Sequence, residues 1–453
     1  MSIRAISPVD GRYHSKTRDL NDYFSEYALM KYRVIVEVTW LGHLSKQDEL
    51  PEIRPFTEEE FALLQRIITN FDDDSAEKIK GIERRTNHDV KAVEYYIKDC
   101  LAETSLADMS EFVHFACTSE DINNLSHAMM LRDGLVDVWL QQANELVGSI
   151  AEQAELLRDT AILAHTHGQP ASPTTMGKEL AVYVYRMERQ LKQLENQEFL
   201  GKFSGAVGAF NAHLSAYPDA DWLDIARTFV ENFGLVFNPL TTQIESHDYL
   251  AETFHKMIRF NNILLDYCRD MWTYISMGYF KQRTVAGEVG SSTMPHKVNP
   301  IDFENAEANI GLSNSILSHL ADKLMVSRLQ RDLSDSSALR NLGVGIAHSH
   351  IALLSALKGT GKVDVNQAKI DADLNHAWEV LAEPIQTVLR KVSYPNPYEK
   401  LKELTRGTAI TQAEIQAFVD TLPIDEADKT RLREMTPATY TGMASDLVDF
   451  IGE

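Results

Sequence analysis

The segment from Gly287 to Pro300 has residue types suited to binding an anionic substrate. It reads Gly-Glu-Val-Gly-Ser-Ser-Thr-Met-Pro-His-Lys-Val-Asn-Pro, so glycines and small hydroxyl residues precede a histidine, a lysine and an asparagine. Backbone N–H groups at such a turn, together with Lys297 and Asn299, can hold a carboxylate or a developing oxyanion. The alternative interpretation is a connection between helices whose serines serve only as caps.

A second segment of this kind is His-Thr-His-Gly-Gln-Pro, residues 165–170. Its turn-forming residues predict a loop, and a helix should follow with Ser172 as N-cap and Pro173 at its first position. A histidine in such a loop, here His167, can act as a general acid. The His-x-His spacing also allows a metal site, but no further ligands stand at a recognisable spacing, so we expect no metal.

Two other polar segments each precede a helical pattern. In Thr-Asn-His-Asp, residues 86–89, Thr86 or Asn87 is the expected helix cap, which places His88 and Asp89 at the positive end of the helix. The segment Thr-Ser-Glu-Asp-Ile-Asn-Asn, residues 118–124, has the pattern of a capping box. Capping alone would explain both segments.

Arginines concentrate between residues 328 and 340. Arg328, Arg331 and Arg340 alternate with serines that include Ser336, and arginine forks next to hydroxyls suit a phosphate or a carboxylate. A solvated helix face is the alternative.

The elements that position these segments are predicted to be helices. Residues 56–169, 240–294 and 301–383 contain no proline, so long helices are possible there. Apolar residues recur at helical spacing over 176–194 and, in a heptad pattern with Asn261 as the polar position, over 250–275. Residues 32–40 alternate like a strand, but they also fit a helix, which we favour because a lone strand would lack partners.

This pattern predicts an all-α chain. It breaks softly at residues 102–109 and again at 359–362, after which prolines return. We therefore predict an N-terminal helical domain over 1–109, a central bundle of long helices over 110–361 and a smaller helical domain over 362–453.

Charge and composition exclude several classes of protein. The 453 residues include 44 basic and 66 acidic ones, a net charge of −22, which argues against general binding to nucleic acid or to anionic membranes. There is no apolar run of about 18 residues and no apolar leader, so we expect neither a membrane span nor secretion. The three cysteines are far apart, which predicts a reduced, cytoplasmic protein without structural zinc.

Three of these segments together resemble a known superfamily. Residues 118–123, 166–169 and 290–300 occur in this order and are similar to the signature regions of the fumarase/aspartase/argininosuccinate lyase superfamily. Within it, Met-Pro-His-Lys at 294–297 resembles the adenylosuccinate lyase family. Residues 7–13, 86–91 and 341–345 are similar to the bacterial branch of that family.

The resemblance implies a fold, a reaction and an assembly. It implies a three-domain helical chain whose central helices build a homotetramer, with active sites shared between subunits. The implied reaction is β-elimination of fumarate from adenylosuccinate to give AMP, and from the succinylated aminoimidazole carboxamide ribonucleotide (SAICAR) to give AICAR, in purine nucleotide biosynthesis. No metal or organic cofactor is implied.

The resemblance also implies roles for individual residues. His167 is the expected general acid and Ser291 the general base, with Ser292 as the neighbouring candidate. Substrate contacts are expected from Arg12, Tyr13, Asn87, His88, Asp89, Thr118, Ser119, Gln243, Lys297, Asn299, Asn305, Arg331, Ser336 and Arg340. A lyase for another fumarate-yielding substrate and a non-catalytic helical protein on a lyase scaffold are the alternative hypotheses.

Overall fold

Helices dominate the computed structural model, which describes residues 3–283, 294, 297–405 and 410–452. The α-helices of this part of the chain are α1 (His14–Thr17), α2 (Asn21–Phe24), α3 (Glu26–Leu44), α4 (Glu58–Thr69), α5 (Asp73–Thr86), α6 (Asp89–Leu101), α7 (Ser119–Gly134), α8 (Leu140–Leu156), α9 (Met176–Glu195), α10 (Asn211–Ala216), α11 (Trp222–Glu231), α12 (Asp248–Met277), α13 (Ile301–Leu324), α14 (Ser334–Leu339), α15 (Leu342–Thr360), α16 (Gln367–His376), α17 (Ala382–Lys391), α18 (Pro397–Thr405), α19 (Gln412–Asp420) and α20 (Glu426–Glu434). The all-α prediction is confirmed.

The strands of the described residues form three two-stranded ribbons. They are β1 (Ala161–Thr166), β2 (Gln169–Thr175), β3 (Leu200–Gly201), β4 (Val236–Phe237), β5 (Phe280–Gln282) and β6 (Val363–Val365). β1–β2 and β5–β6 are antiparallel, whereas β3–β4 is parallel. A π-helical segment at Leu135–Trp139 separates α7 from α8.

The chain divides into two compact units. The first comprises residues 1–143, 190–261 and 308–352, and the second comprises 144–189, 262–307 and 353–453. Helices α8, α9, α12, α13 and α15 contribute residues to both units. The three-domain division at residues 109 and 361 stays a prediction.

The heptad pattern over residues 250–275 is confirmed in α12. Its positions 250, 254, 257, 264, 268 and 271 are buried, whereas the last position, Ile275, is half-buried. Asn261, the polar position, is also buried, and its amide nitrogen donates to Ser313 Oγ at 3.2 Å while its oxygen accepts from Ser349 Oγ at 2.8 Å. The seam therefore tolerates a polar residue because that residue's hydrogen bonds are made inside the bundle.

Residues 32–40 lie within α3, as we expected. Ser25 caps this helix, since its Oγ accepts from Ala28 N at 3.1 Å. Val34 and Val38 lie on one face of the helix and Val36 lies on the opposite face, yet all three are buried. The strand-like alternation of the sequence thus has a simple cause, because a helix buried on nearly all sides shows no clear apolar stripe.

The predicted start and end of α9 were wrong. Ser172 and Pro173 lie in β2, where Pro173 pairs with Leu163 of β1, and the helix begins at Met176. Thr175 provides the cap, since its Oγ1 accepts from Lys178 N at 3.2 Å. Gly201, the glycine that the sequence would predict as the stop of this helix, lies in β3, six residues beyond the helix's last residue, Glu195. Strand pairing to a segment ten residues away overrides the local capping signal.

No helix in the described residues combines the length and the apolar character that a membrane crossing requires.

One histidine of the first unit is buried without polar contacts. His213 is fully buried beside Phe210 and Trp222, and neither ring nitrogen has a hydrogen-bond partner among the described residues. Burial lowers the pKa of His213 to about 4, from an ordinary 6.5. Below about pH 6.5 the unfolded chain therefore binds a proton that the folded chain rejects, and stability is lost as the pH falls towards 4.

We expect His213→Leu to reduce the acid sensitivity of the fold. The variant removes a titrating ring that makes no hydrogen bond within the described residues, so the fall in melting temperature between about pH 7 and about pH 5 should be smaller than in the wild type. Thermal unfolding followed by circular dichroism at both pH values measures this. The exposed His255 provides the control, because His255→Gln should retain the wild-type fall. Equal falls in His213→Leu and the wild type would contradict the prediction.

Candidate active site

His167, the expected general acid, lies at the tip of the β1–β2 hairpin. Thr166 pairs with Gln169, so His167 and Gly168 form a two-residue turn. Their φ angles are 56° and 72°, and a turn with positive φ at both central positions matches the twist of a hairpin. Both residues are exposed. The predicted loop is therefore a tight turn that holds the imidazole out from the end of a ribbon.

The same hairpin is tethered to the C-terminal helices within the second unit. Ser172 of β2 donates a hydrogen bond to Glu383 of α17, and the hydroxyl of Tyr440 donates to the same carboxylate at 3.1 Å. Burial, together with the hydrogen bond to Glu383, raises the pKa of Tyr440 to about 12. Tyr440 therefore stays a neutral donor at physiological pH, and the tether persists.

In the first unit, Thr118 and Ser119 lie at the N-terminus of α7. Thr118 is the N-cap, and its backbone N–H donates to Asp121 Oδ2 at 2.8 Å, as in the predicted capping box. Both residues are half-buried. The positive end of a 16-residue helix lies beside them, which favours an anionic group at this position.

Two expected substrate contacts meet beside this helix end. The guanidinium of Arg331 donates to Gln243 Oε1 at 3.1 Å and lies 3.4 Å from the Glu120 carboxylate. On another side, Asp335 lies 3.7 Å from Arg331 Nε. Ser336 follows, and its backbone N–H donates to Asp335 Oδ1 at 2.6 Å. Burial raises the pKa of Glu120, although Arg331 opposes the shift.

A second cluster joins two more of the expected contacts. Asp89 pairs with Arg340 at 3.1 Å and with Arg33 of α3 at 2.8 Å, while Arg340 also pairs with Glu26 at 2.7 Å. Arg33 Nε donates to Asn123 of α7 at 2.9 Å. Burial would raise the pKa of Asp89, but Arg33 and Arg340 leave it below its ordinary value. Asp89 is therefore an anion at neutral pH.

The motif at residues 341–345 follows Arg340 and explains how that arginine is placed. A Cβ on Gly343 would collide with Phe24 of α2, and one on Gly345 would lie 2.8 Å from Leu317. The start of α15 therefore approaches its neighbours more closely than any residue with a side chain allows.

The expected caps of α6 were wrong. His88 itself is the N-cap, and its Nδ1 accepts from Lys91 N at 3.1 Å. Asn87 instead ends α5 in the left-handed conformation, with φ of 54°, which asparagine tolerates well. Two helices meet here with no loop between them, so each polar residue caps a different helix. His88 remains exposed next to Asp89.

Arg12 and Tyr13 lie in a turn near the start of the first unit. The turn is closed by Gly11 N donating to Ser7 O at 3.0 Å and Tyr13 N donating to Pro8 O at 2.8 Å. Arg12 is exposed and Tyr13 half-buried.

The remaining candidates belong to the second unit. Lys297 is exposed, Asn299 lies two residues before the start of α13, and Asn305 within α13 accepts from Ser355 Oγ at 2.8 Å. Ser291 and Ser292, the two candidates for the base, lie outside the described residues.

Sequence reasoning missed the polar residues that lie behind the candidates. His114 Nδ1 lies 2.6 Å from a carboxylate oxygen of the buried Glu37 of α3. His114 has a φ of 62° and lies four residues before Thr118. Burial would lower the pKa of His114, but Glu37 raises it above its ordinary value. Arg33 and Glu37 were detectable, because charged residues inside the otherwise apolar segment 32–41 need buried partners.

Comparison with known proteins decides the family. A family model described as "Lyase" matches residues 11–312, and one described as "Adenylosuccinate lyase C-terminal" matches residues 327–441. The chain is 54% identical over 449 residues to a protein of Haemophilus influenzae named adenylosuccinate lyase, covering 99% of this chain and 98% of the relative. A Vibrio cholerae protein of the same name is 55% identical over 450 residues, covering 99% of each. The chain belongs to the adenylosuccinate lyase family.

Solved structures with little sequence identity share the fold of this family member. A fumarate lyase from Mesorhizobium sp. BNC1 has a TM-score of 0.78 at 19% identity and covers 97% of this chain and 98% of its own. The 3-carboxy-cis,cis-muconate lactonizing enzyme from Pseudomonas putida has a TM-score of 0.75 at 20% identity and covers 95% of each chain. The family assignment makes this protein a lyase.

We expect Gly168→Val to lower lyase activity by at least about 10-fold, because it displaces the hairpin tip that carries His167, the predicted general acid. Valine disfavours the φ of 72° that the turn requires. Steady-state kinetics measure the effect. Gly148→Val is the control, since Gly148 lies in α8 with open space around its Cα and should tolerate the same side chain. Wild-type activity in Gly168→Val would show that the turn conformation does not matter.

Proposed function

We propose that this lyase eliminates fumarate from adenylosuccinate to give AMP, and from SAICAR to give AICAR. Full-length relatives named adenylosuccinate lyase, at 54–55% identity, carry the proposal. Arg331 and Arg340 of the first unit support it, because both products retain a phosphate and guanidinium groups bind phosphate well.

His167 is the general acid of this mechanism and Ser291 the general base. A proton must leave the carbon next to a carboxylate while the departing nitrogen receives one, so the reaction needs two groups of opposite function. The position of His167 supports its role, because a tight turn fixes the imidazole and its exposure lets it exchange protons with solvent. A serine base needs its alkoxide stabilised, which nearby backbone N–H groups and Lys297 can provide.

Substrate binding in this proposal relies on cations concentrated within an acidic protein. Arg331 and Arg340 bind phosphate or carboxylate oxygens, whereas Lys297 and Asn299 bind the succinyl carboxylates. The net charge of −22 does not prevent this, because charges more than about 8 Å apart are largely screened at physiological ionic strength. Thr118 and Ser119 add the positive end of α7.

We further propose that the enzyme is a cytoplasmic homotetramer without metal or organic cofactor, whose active sites are shared between subunits. Exposed apolar side chains on the long helices support the assembly, among them Val182 and Tyr185 of α9, Trp272 of α12 and Leu312 of α13. Exposed apolar surface of this kind is typical of subunit interfaces. Light scattering of the purified protein tests the oligomeric state. Dialysis against a chelator tests the absence of a metal, because the activity should then be retained.

The reaction itself is tested by near-ultraviolet absorbance of the protein with adenylosuccinate, with fumarate measured separately. We expect a spectral change with one fumarate released per substrate consumed. No fumarate from a correctly assembled protein would overturn the proposal, and release from argininosuccinate, aspartate or malate would identify a different lyase.

We expect His167→Ala and Ser291→Ala each to lower kcat by at least about 100-fold, the usual contribution of a general acid or base. Both should leave the melting temperature and the oligomeric state unchanged, since His167 is exposed at a turn. His165→Ala is the matched control on the same hairpin and should retain most activity.

The serine variants also separate the two candidates for the base. If Ser292→Ala loses activity while Ser291→Ala turns over like the wild type, Ser292 is the base and the assignment to Ser291 is wrong.

A further inference from the structure

Glu120 is a buried carboxylate that the mechanism above does not use. It occupies the first turn of α7, directly after Ser119, and its side chain is 3% exposed. A buried carboxylate is costly unless it is paired. Its ionic partner is Arg331 at 3.4 Å, an arginine that the proposed function assigns to the substrate.

Arg331 is held from three directions. Glu120 lies 3.4 Å from one terminal nitrogen, Gln243 Oε1 accepts from the other at 3.1 Å, and Asp335 lies 3.7 Å from Nε. The arginine side chain is 13% exposed and that of Asp335 is 4% exposed. These three contacts come from α7, from the segment before α12 and from α14, so one guanidinium links separate parts of the first unit.

The charges of this group do not balance. Two buried carboxylates face one guanidinium, and among the described residues the positive end of α7 lies beside Glu120 and offsets part of the second charge. A surplus carboxylate weakens the attraction of Arg331 for an anion, so its presence needs a reason. A rigid carboxylate on either side fixes the orientation of the planar fork before any ligand arrives.

We propose that Glu120 is a positioning residue that holds Arg331 in its substrate-binding orientation. This inference rests on the proposed function, because it takes Arg331 as a contact to a phosphate or carboxylate of the substrate. Glu120 acts through Arg331 and need not touch the substrate. An arginine ordered in advance loses less conformational freedom on binding, so the gain appears in affinity rather than in the chemical step.

Glu120→Gln should therefore raise KM by about 10-fold, the scale of a hydrogen bond to a charged group. The kcat should stay within about 2-fold, because uniform binding contributes to KM alone. The amide has the size of the carboxylate but lacks its charge, so packing of α7 is retained. Steady-state kinetics with adenylosuccinate measure both constants.

A double-mutant cycle separates positioning from a general loss of structure. In an Arg331→Ala background, Glu120→Gln should change KM by less than about 2-fold, because the residue to be positioned is gone. If Glu120→Gln raises KM by the same factor in both backgrounds, Glu120 acts independently of Arg331 and the proposal is overturned.

Glu60→Gln is the matched control. Glu60 is also buried in the first turn of its helix, α4, and its carboxylate is paired with Arg54 by two hydrogen bonds of 2.8 Å. Its replacement should lower the melting temperature and leave KM unchanged. A rise in KM with Glu60→Gln equal to that with Glu120→Gln would show that any loss of a buried charge has this effect.

The outcomes distinguish this inference from the proposed function. Wild-type turnover combined with an unchanged KM in Glu120→Gln overturns the positioning role and leaves the function standing. If the wild type releases no fumarate, the proposed function is overturned. The double-mutant cycle of Glu120→Gln and Arg331→Ala is then measured as changes in the Kd of AMP, by calorimetry. In that case, absence of AMP binding by the wild type overturns the positioning role as well.

Discussion

A fully buried ion pair between Asp121 and Lys202 anchors the first unit. The two charged groups are 2.7 Å apart, and both side chains are 0% exposed. Asp121 also accepts from the backbone N–H groups of Thr118, Ser204 and Gly205, while Lys202 donates to the Gly205 carbonyl. Removing one partner of such a pair typically costs about 3–5 kcal/mol, because the other charge is left buried and alone. The pair therefore fixes the N-terminus of α7 against residues 202–205.

The candidate site of the first unit is built on the helix end that this pair holds. From Thr118 onwards, α7 presents Ser119 at its first position, Glu120 to Arg331 and Asn123 to Arg33. The clusters around Arg331 and Arg33 are therefore both positioned by the first one and a half turns of α7. A shift of that helix end would move the two clusters together, which explains why the buried charges concentrate there rather than along the rest of the helix.

Local sequence patterns predicted the long helices well and the polar details poorly. The α12 seam follows from apolar periodicity, whereas α3 was predicted because a lone strand would lack partners. The start of α9 failed because Ser172 and Pro173 pair with β1, a non-local contact that no capping rule contains. Glu120 was interpreted as part of a capping box, since its partner Arg331 is 211 positions away in the sequence. His167 was identified by resemblance, but its presentation on a two-residue turn required the pairing of Thr166 with Gln169.

The carboxylates paired with Arg331 and Arg340 resolve an apparent conflict between the charge of the protein and that of its proposed substrate. An acidic chain that binds a polyanion would be expected to keep carboxylates away from its arginines, yet Arg331 and Arg340 each contact two. Without such partners, long cationic side chains would sample many rotamers and each would be ordered only on binding. These paired carboxylates weaken the local positive field, but they give the two arginines a defined geometry. With that geometry fixed in advance, each arginine binds its anion with little loss of rotamer freedom, so the benefit appears in the affinity for the proposed substrate.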